Sequence, residues 1–312
     1  MKKTILGLFI FLAACGVVET PLAPTSTPTE TNAPTATAVP AITAEVAAPS
    51  PTSASEAEAF RISSMDGMPQ VYIPAGILHM GGYDVRASPD EFPGHDVTLH
   101  AYWMDQLEVT NAMYALCVNA GVCTLPQDVG TARIAKYFNE PEFNDYPVIF
   151  VAWVQAKTYC EWAQRRLPTE AEWERAARGD DMRTFPWGED KPDWRFANFN
   201  MLVRDTSRVG SYAMGASPFG VLDMAGNVAE WTNDFYDFDF YLTSPLENPS
   251  GPDSSSNLNR VARGGSFGDA EINLRVSRRL PVLGSNINVA PGSESYLGES
   301  SPRIGFRCVE DE

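Results

Sequence analysis

A mixed α+β domain with little regular secondary structure is the fold this sequence predicts, and three observations carry that prediction. Short β-forming runs punctuated by Gly and Pro come first, around Val71–Gly82 and Val97–Trp103. Three stretches with helical spacing or helix-start signals follow, between Thr110 and Gly179. Beyond Gly179 periodicity fades and the chain is rich in Gly, Asn, Asp, Trp and Pro, which predicts long aromatic-packed loops with a few strands.

The N-terminus reads as a secretory signal. Lys2 and Lys3 precede an apolar run, Ile5 to Ala14, about half of the roughly twenty residues a spanning helix needs. Leu12-Ala13-Ala14-Cys15 resembles a bacterial lipobox, so residues 1–14 are expected to be removed and Cys15 to be lipidated. The mature protein would then be held at a membrane surface by acyl chains, extracytoplasmic and otherwise soluble. Residues 15–59 consist largely of Pro, Thr, Ala, Ser and Glu without Lys or Arg. Such a composition buries too little apolar surface to offset about 1–2 kcal/mol per residue of backbone ordering, which predicts a disordered stalk.

Residues 60–312 remain as one folded domain, with no repeat or second linker to divide them. The whole chain carries a formal charge of −17, and removal of Lys2 and Lys3 takes it to −19. An acidic surface repels phosphates, so nucleic acid is excluded as an expected partner.

Within the domain, Val71–Gly76 and Leu78–Gly82 read as two short strands around a turn. Val97, Leu99, Ala101 and Trp103 alternate with Thr98, His100 and Tyr102, the pattern of one half-buried strand. Thr110 or Asn111 can cap a helix running towards Cys117. A second helix is expected over Trp153–Gln164, with Ala156, Tyr159, Cys160 and Ala163 on one face. In the third, Thr169 and Glu172 have capping-box spacing and Gly179 supplies the stop.

Four cysteines are left once Cys15 is assigned to lipid, an even number that suggests bridges in an oxidising compartment. Cys117 and Cys123 are close enough to close a local loop, and Cys160 with Cys308 would pin the chain end to the core. Four cysteines nevertheless permit three connectivities.

Several separated motifs occur in a fixed order: Tyr159-Cys160-Glu161-Trp162-Ala163, Arg166-Leu167-Pro168-Thr169-Glu170-Ala171-Glu172-Trp173-Glu174, Phe185-Pro186-Trp187-Gly188, the run from Asp223 to Trp231, Arg263-Gly264-Gly265-Ser266 and Gly305-Phe306-Arg307-Cys308. In this order and spacing the chain, over about Gln70–Val309, resembles the formylglycine-generating enzyme or sulfatase-modifying factor family. The resemblance implies an α+β fold related to C-type lectins, and it implies the Cys160–Cys308 pairing.

Asp223, the Gly226-Asn227 turn and Glu230 supply hard oxygen ligands of the kind Ca²⁺ takes. The resemblance implies a structural calcium site made by the Asp223 side chain, the Gly226 and Val228 carbonyls and the Glu230 side chain. Asn198 and Asp205 are weaker candidates for a second calcium loop. The oxidising members of the family bind copper and exchange with a substrate cysteine through two cysteines after their Gly-Gly-Ser segment. Here those positions are Asp269 and Leu274, and neither side chain can form a thiolate, so copper and disulfide exchange are not expected.

Ala229 stands where the family usually has Trp, which removes an aromatic wall from the same pocket. Ser266, Asp269 and Arg275 are the candidate pocket residues, with no His placed by a motif to activate Ser266 as a nucleophile. A histidine iron site is not expected from His79, His95 and His100. Arg275, Arg278 and Arg279 either bind an anionic ligand or pair with buried acids. The chain also contains no Cys-x-Pro-x-Arg sulfatase motif. The expected function is a non-catalytic module with a groove for a peptide, glycan or envelope protein. The alternative is a divergent oxidase of protein cysteine, or another oxygen-dependent enzyme in the same groove.

Overall fold

The structure is a computed structural model that describes residues 59–293 and 296–312. The expected signal peptide, lipidated Cys15 and all of the stalk but Ala59 lie outside the described residues. In chain order the elements are β1 (Phe60–Ile62), β2 (Pro69–Ile73), β3 (Gly76–Met80), β4 (His95–Leu99), β5 (Tyr102–Asp105), α1 (Asn111–Asn119), α2 (Trp153–Trp162), α3 (Glu170–Arg178), β6 (Ala229–Phe235), β7 (Asn259–Arg263), β8 (Leu280–Leu283), β9 (Ile304–Gly305) and β10 (Val309–Asp311). The α+β class is therefore as expected. Helices of nine or ten residues and strands of two to seven leave most of the domain irregular.

Strands form three sheets among the described residues: β1-β2-β5-β10, the hairpin β3-β4, and β8-β7-β6-β9. The two short strands around a turn are present as expected, and they enter different sheets. One expectation for this region is corrected. The expected single strand Val97–Trp103 is two, broken at His100-Ala101. Alternation changes phase at the break, so Tyr102 is buried and Trp103 lies half-exposed, the reverse of the period-2 reading.

The helix signals act as local chemistry demands. Thr110 Oγ1 accepts from Met113 N and starts α1. Thr169 and Glu172 close a reciprocal capping box on α3, whose end is set by Gly179 at φ 78°. The second helix stops at Trp162, two residues short of the expected Gln164, which itself sits at φ 62°.

Both expected bridges are present, Cys117–Cys123 with Cα atoms 5.3 Å apart and Cys160–Cys308 with 5.7 Å. They frame the largest core cluster, in which Tyr114, Tyr159 and Phe306 meet at ring-centroid distances of 5.4–6.4 Å. A second cluster packs Trp173 of α3 against Met104, Met224 and Val309. This second cluster fixes α3 beneath the Asp223–Trp231 segment, where the site is built.

Candidate functional site

The motifs meet one another through buried charge. Every residue of α3 is buried, including Glu170 and Glu174, and a buried carboxylate persists only if it is paired. Arg263 supplies the pair, reaching Glu174 Oε2 at 2.5 Å and Glu170 Oε1 at 3.2 Å. Glu230 is bound in the same manner by Arg307, whose Nε and Nη2 donate to its two oxygens at 2.6 Å each. Trp173 Nε1 donates to Glu230 Oε2 at 2.7 Å. The Arg-Leu-Pro-Thr-Glu, Arg-Gly-Gly-Ser and Gly-Phe-Arg-Cys motifs are thus one polar network.

That network carries the groove floor. Gly264 and Gly265 have φ of 87° and 68°, and a Cβ on Gly265 would lie 2.7 Å from the Asn273 carbonyl. The turn they make presents Ser266, whose N and Oγ both donate to Asp269 Oδ2 at 2.9 and 2.5 Å. Asn273 Nδ2 donates to Asp269 Oδ1 at 3.1 Å. The Asp269 carboxylate therefore closes a turn, and Ser266 faces a carboxylate rather than a general base of imidazole type.

Ser266, Asp269 and Ala229 line a groove of about 210 Å³ together with Leu280, Pro281, Val282 and Ile304. Ala229 and Asp269, the positions at which the family resemblance implies an indole and a thiol, thus line one groove. One expectation is corrected, that of Arg275 as a residue of this pocket, and Leu274 also lies elsewhere. Leu274 is wholly buried among Phe185, Ala197, Phe199 and Ala225 and does not face this groove. Arg275 is not one of its lining residues either, because Glu91 holds the guanidinium through two bonds of 2.7 Å on another side of the Ser266–Leu274 segment.

The rest of the basic cluster follows Arg275. Arg279 is buried on Glu170 at 2.8 Å, and Arg278 donates to Ser88 Oγ at 2.9 Å and Asn273 Oδ1 at 3.2 Å. Burial pushes the Glu91 carboxyl up, but bonds from Arg275 and Ser277 outweigh it and hold the group below the usual carboxylate range. The histidines are dispersed in their bonding: His79 pairs with Asp96, His95 Nδ1 bonds the Pro93 carbonyl, and His100 lies 3.7 Å from Glu247.

At the Asp223–Glu230 loop, left-handed Asp223, Gly226 and Asn227 turn the backbone sharply. Asn227 Nδ2 and Val228 N donate to the two oxygens of Glu108, at 2.6 and 3.1 Å. Glu108 was not among the site residues suggested by sequence; Glu108-Val109-Thr110-Asn111 signals only a helix start. Burial pushes the Glu108 carboxyl well up, and the negative charges of Asp223 and Glu230 add to the effect. Burial likewise raises Asp223 to about 6, although Gly210 N donates to its Oδ2 at 2.6 Å. Three buried carboxylates thus surround one guanidinium, Arg307.

Whether these residues fit calcium is decided by free oxygen lone pairs. Glu230 spends three acceptor positions on Arg307 and Trp173, which leaves one on Oε1. Asn198 fits better. Its Oδ1 is a buried acceptor without a partner, while its Nδ2 donates to the Asp205 carbonyl at 2.8 Å. Among the described residues no group of three or more His, Cys, Asp or Glu side chains is arranged to hold a metal, so a cation here must draw on carbonyl and amide oxygens.

An α+β domain whose ordered motifs are joined by buried ion pairs beside a groove fits the sulfatase-modifying factor class. The model of the sulfatase-modifying factor enzyme 1-like domain matches residues 55–312, and the chain belongs to this family. It is 32% identical to the formylglycine-generating enzyme of Streptomyces coelicolor, over 85% of this chain and 96% of that one. It is also 36% identical to the protein named serine/threonine-protein kinase pkn1 of Chlamydia pneumoniae over 78% of this chain, and spans only 39% of that relative. PvdO from Pseudomonas aeruginosa has the same fold, with a TM-score of 0.65 and 26% identity over 81% of this chain and 98% of that one.

Proposed function

We infer that this chain is a membrane-tethered extracytoplasmic binding module, in which the family's groove is kept as a ligand site without its thiol chemistry. The observation that carries this reading is the fate of the two thiol positions. Asp269 is consumed by Ser266 and Asn273, and Leu274 is core, so neither can exchange with a substrate cysteine or bind Cu(I). The ligand is a peptide, a glycan or another envelope protein, and the tether is lipid on Cys15. Calcium is the proposed structural cofactor, held by Asp223, Gly226, Val228 and Glu230 and by the Asn198–Asp205 loop. The orphaned Asn198 Oδ1 and the excess of buried carboxylate around Arg307 support it.

The alignment with nearly the whole S. coelicolor enzyme favours a second reading, a divergent oxidase. Incubation of the full chain with a Cys-x-Pro-x-Arg peptide, copper and oxygen, followed by mass spectrometry, separates the two. An unchanged peptide thiol is expected. Thiol loss at enzymatic rates that persists in Cys117→Ala/Cys123→Ala and stops in Asp269→Ala would establish the oxidase and overturn the binding module.

A further inference from the structure

One rim of the groove brings an exposed apolar loop tip and an arginine without an ion pair together. The Asn200 and Met201 amides donate to the Asp269 and Phe267 carbonyls at 2.8 and 2.7 Å, which fastens the loop Asn200–Arg204 to the groove floor. Asn200, Met201 and Arg204 all have positive φ, at 47°, 59° and 63°. Backbone strain in three non-glycine residues of one loop persists only where the surroundings impose it, and it collects at binding segments. Its effect here is to display Met201, Leu202 and Val203 side by side at 43, 48 and 50% exposure. Arg303 stands across Phe267 from Met201, with its guanidinium 5.7 Å from the Phe267 ring, and it also lines the groove.

Most arginines in this acidic chain are spent on carboxylates. Among the described residues Arg133, Arg204, Arg260 and Arg303 make no ion pair, and of these four Arg303 lines the groove. Arg204 directly follows the apolar tip in the chain, and Arg303 lies on the ring of Phe267, whose carbonyl accepts from Met201 N. Within the groove Leu280, Pro281, Val282 and Ile304 supply aliphatic wall, Glu299 is an exposed acid, and Asp269 spends three of its four acceptor positions on Ser266 and Asn273.

We propose that this rim is the docking surface for an extended acidic peptide segment, whose aliphatic side chain enters the groove between Val282 and Ile304 and whose neighbouring carboxylate pairs with Arg303. The loop Met201–Val203 covers the bound segment from above. A guanidinium stacked on an aromatic ring is pre-oriented for bidentate carboxylate recognition, and apolar contact beside it excludes water from the pair. The Glu299 carboxylate, which also lines the groove, disfavours a second acid beside it, so the segment carries its charge at Arg303. This inference deepens the binding-module reading and rests on it.

A positional array of eight-residue peptides probed with the full chain tests it. Binding is expected to select Asp or Glu next to Val, Ile or Leu, to weaken with salt, and to fall about ten-fold in Arg303→Gln. Leu202→Ser/Val203→Ser should lower binding to every selected peptide, with both variants melting as the parent does. Selected peptides that show no acidic position, or that bind Arg303→Gln equally, overturn this proposal while leaving the groove as a ligand site. Binding to no peptide but to phosphatidylglycerol vesicles, lost in Leu202→Ser/Val203→Ser, makes the rim a membrane contact and overturns it as well. Binding to neither removes the peptide reading altogether; Ala229→Trp, which narrows the groove but leaves the rim, tells groove binding from rim binding among any peptides selected.

Discussion

Glu230 and Arg307 lie 77 residues apart in the chain and face each other through two bonds of 2.6 Å, both side chains buried. Removal of one partner leaves an unpaired charge in the core, which typically costs about 3–5 kcal/mol. Glu230→Gln and Arg307→Met are each expected to destabilise the domain by that amount in urea titrations. The double substitution should cost clearly less than their sum, because the two groups that bond each other are removed together. Additive losses would show that the two motifs are not energetically coupled.

The Arg275–Glu91 pair makes a pH prediction. Glu91 is held below its ordinary range in the folded protein. Its contribution is therefore fully present above the unfolded carboxyl value of about 4.5 and is lost as pH falls through the lower folded value. The gap in melting temperature between the parent and Glu91→Gln should be constant from pH 7 to 5.5 and shrink below pH 4.5. A gap that widened on acidification would contradict the pairing.

Much of this polar framework was legible as motif and illegible as contact. Thr169, Glu172 and Gly179 act within one turn of chain, so the sequence pattern states their roles directly. Arg275 with Glu91 and Arg263 with Glu174 join residues 184 and 89 positions apart, and no periodicity reports such a partner. Glu108 carries no site signal in the sequence for the same reason, since its partners Asn227 and Val228 are about 120 residues on. The strand break at His100-Ala101 escaped because apolar alternation continues through it, although the two halves join different sheets.

The two bridges should differ in worth. Cys160–Cys308 closes a separation of 148 residues and Cys117–Cys123 one of 6. In the chain-entropy model their removal costs about 5 and about 2 kcal/mol, respectively. Cys160→Ala/Cys308→Ala is thus expected to lower the urea midpoint far more than Cys117→Ala/Cys123→Ala. Equal shifts would mean that native packing, rather than loop closure, sets the difference.

Ala229 gives a steric prediction. It lines a groove of about 210 Å³, so an indole at this position has space to enter. Ala229→Trp is expected to fold with a loss of less than about 3 kcal/mol and to occlude ligands that bind in the groove, while those held at the rim alone remain. Unfolding on this substitution would show that the groove is closed in solution.

Calcium is the last expectation, and the orphaned Asn198 Oδ1 makes it specific. A cation that binds only the folded state stabilises it by about 2.7 kcal/mol at a hundred-fold excess over its dissociation constant. Added calcium should therefore raise the melting temperature of the full chain, and a chelator should lower it. Asn198→Ala and Asp205→Ala should each abolish the response. Asp223→Asn distinguishes the two loops: if it leaves the response intact, the cation belongs to the Asn198–Asp205 loop alone, and Glu230 is wholly an ion-pair residue for Arg307. No response to calcium in the parent protein would dismiss both loops.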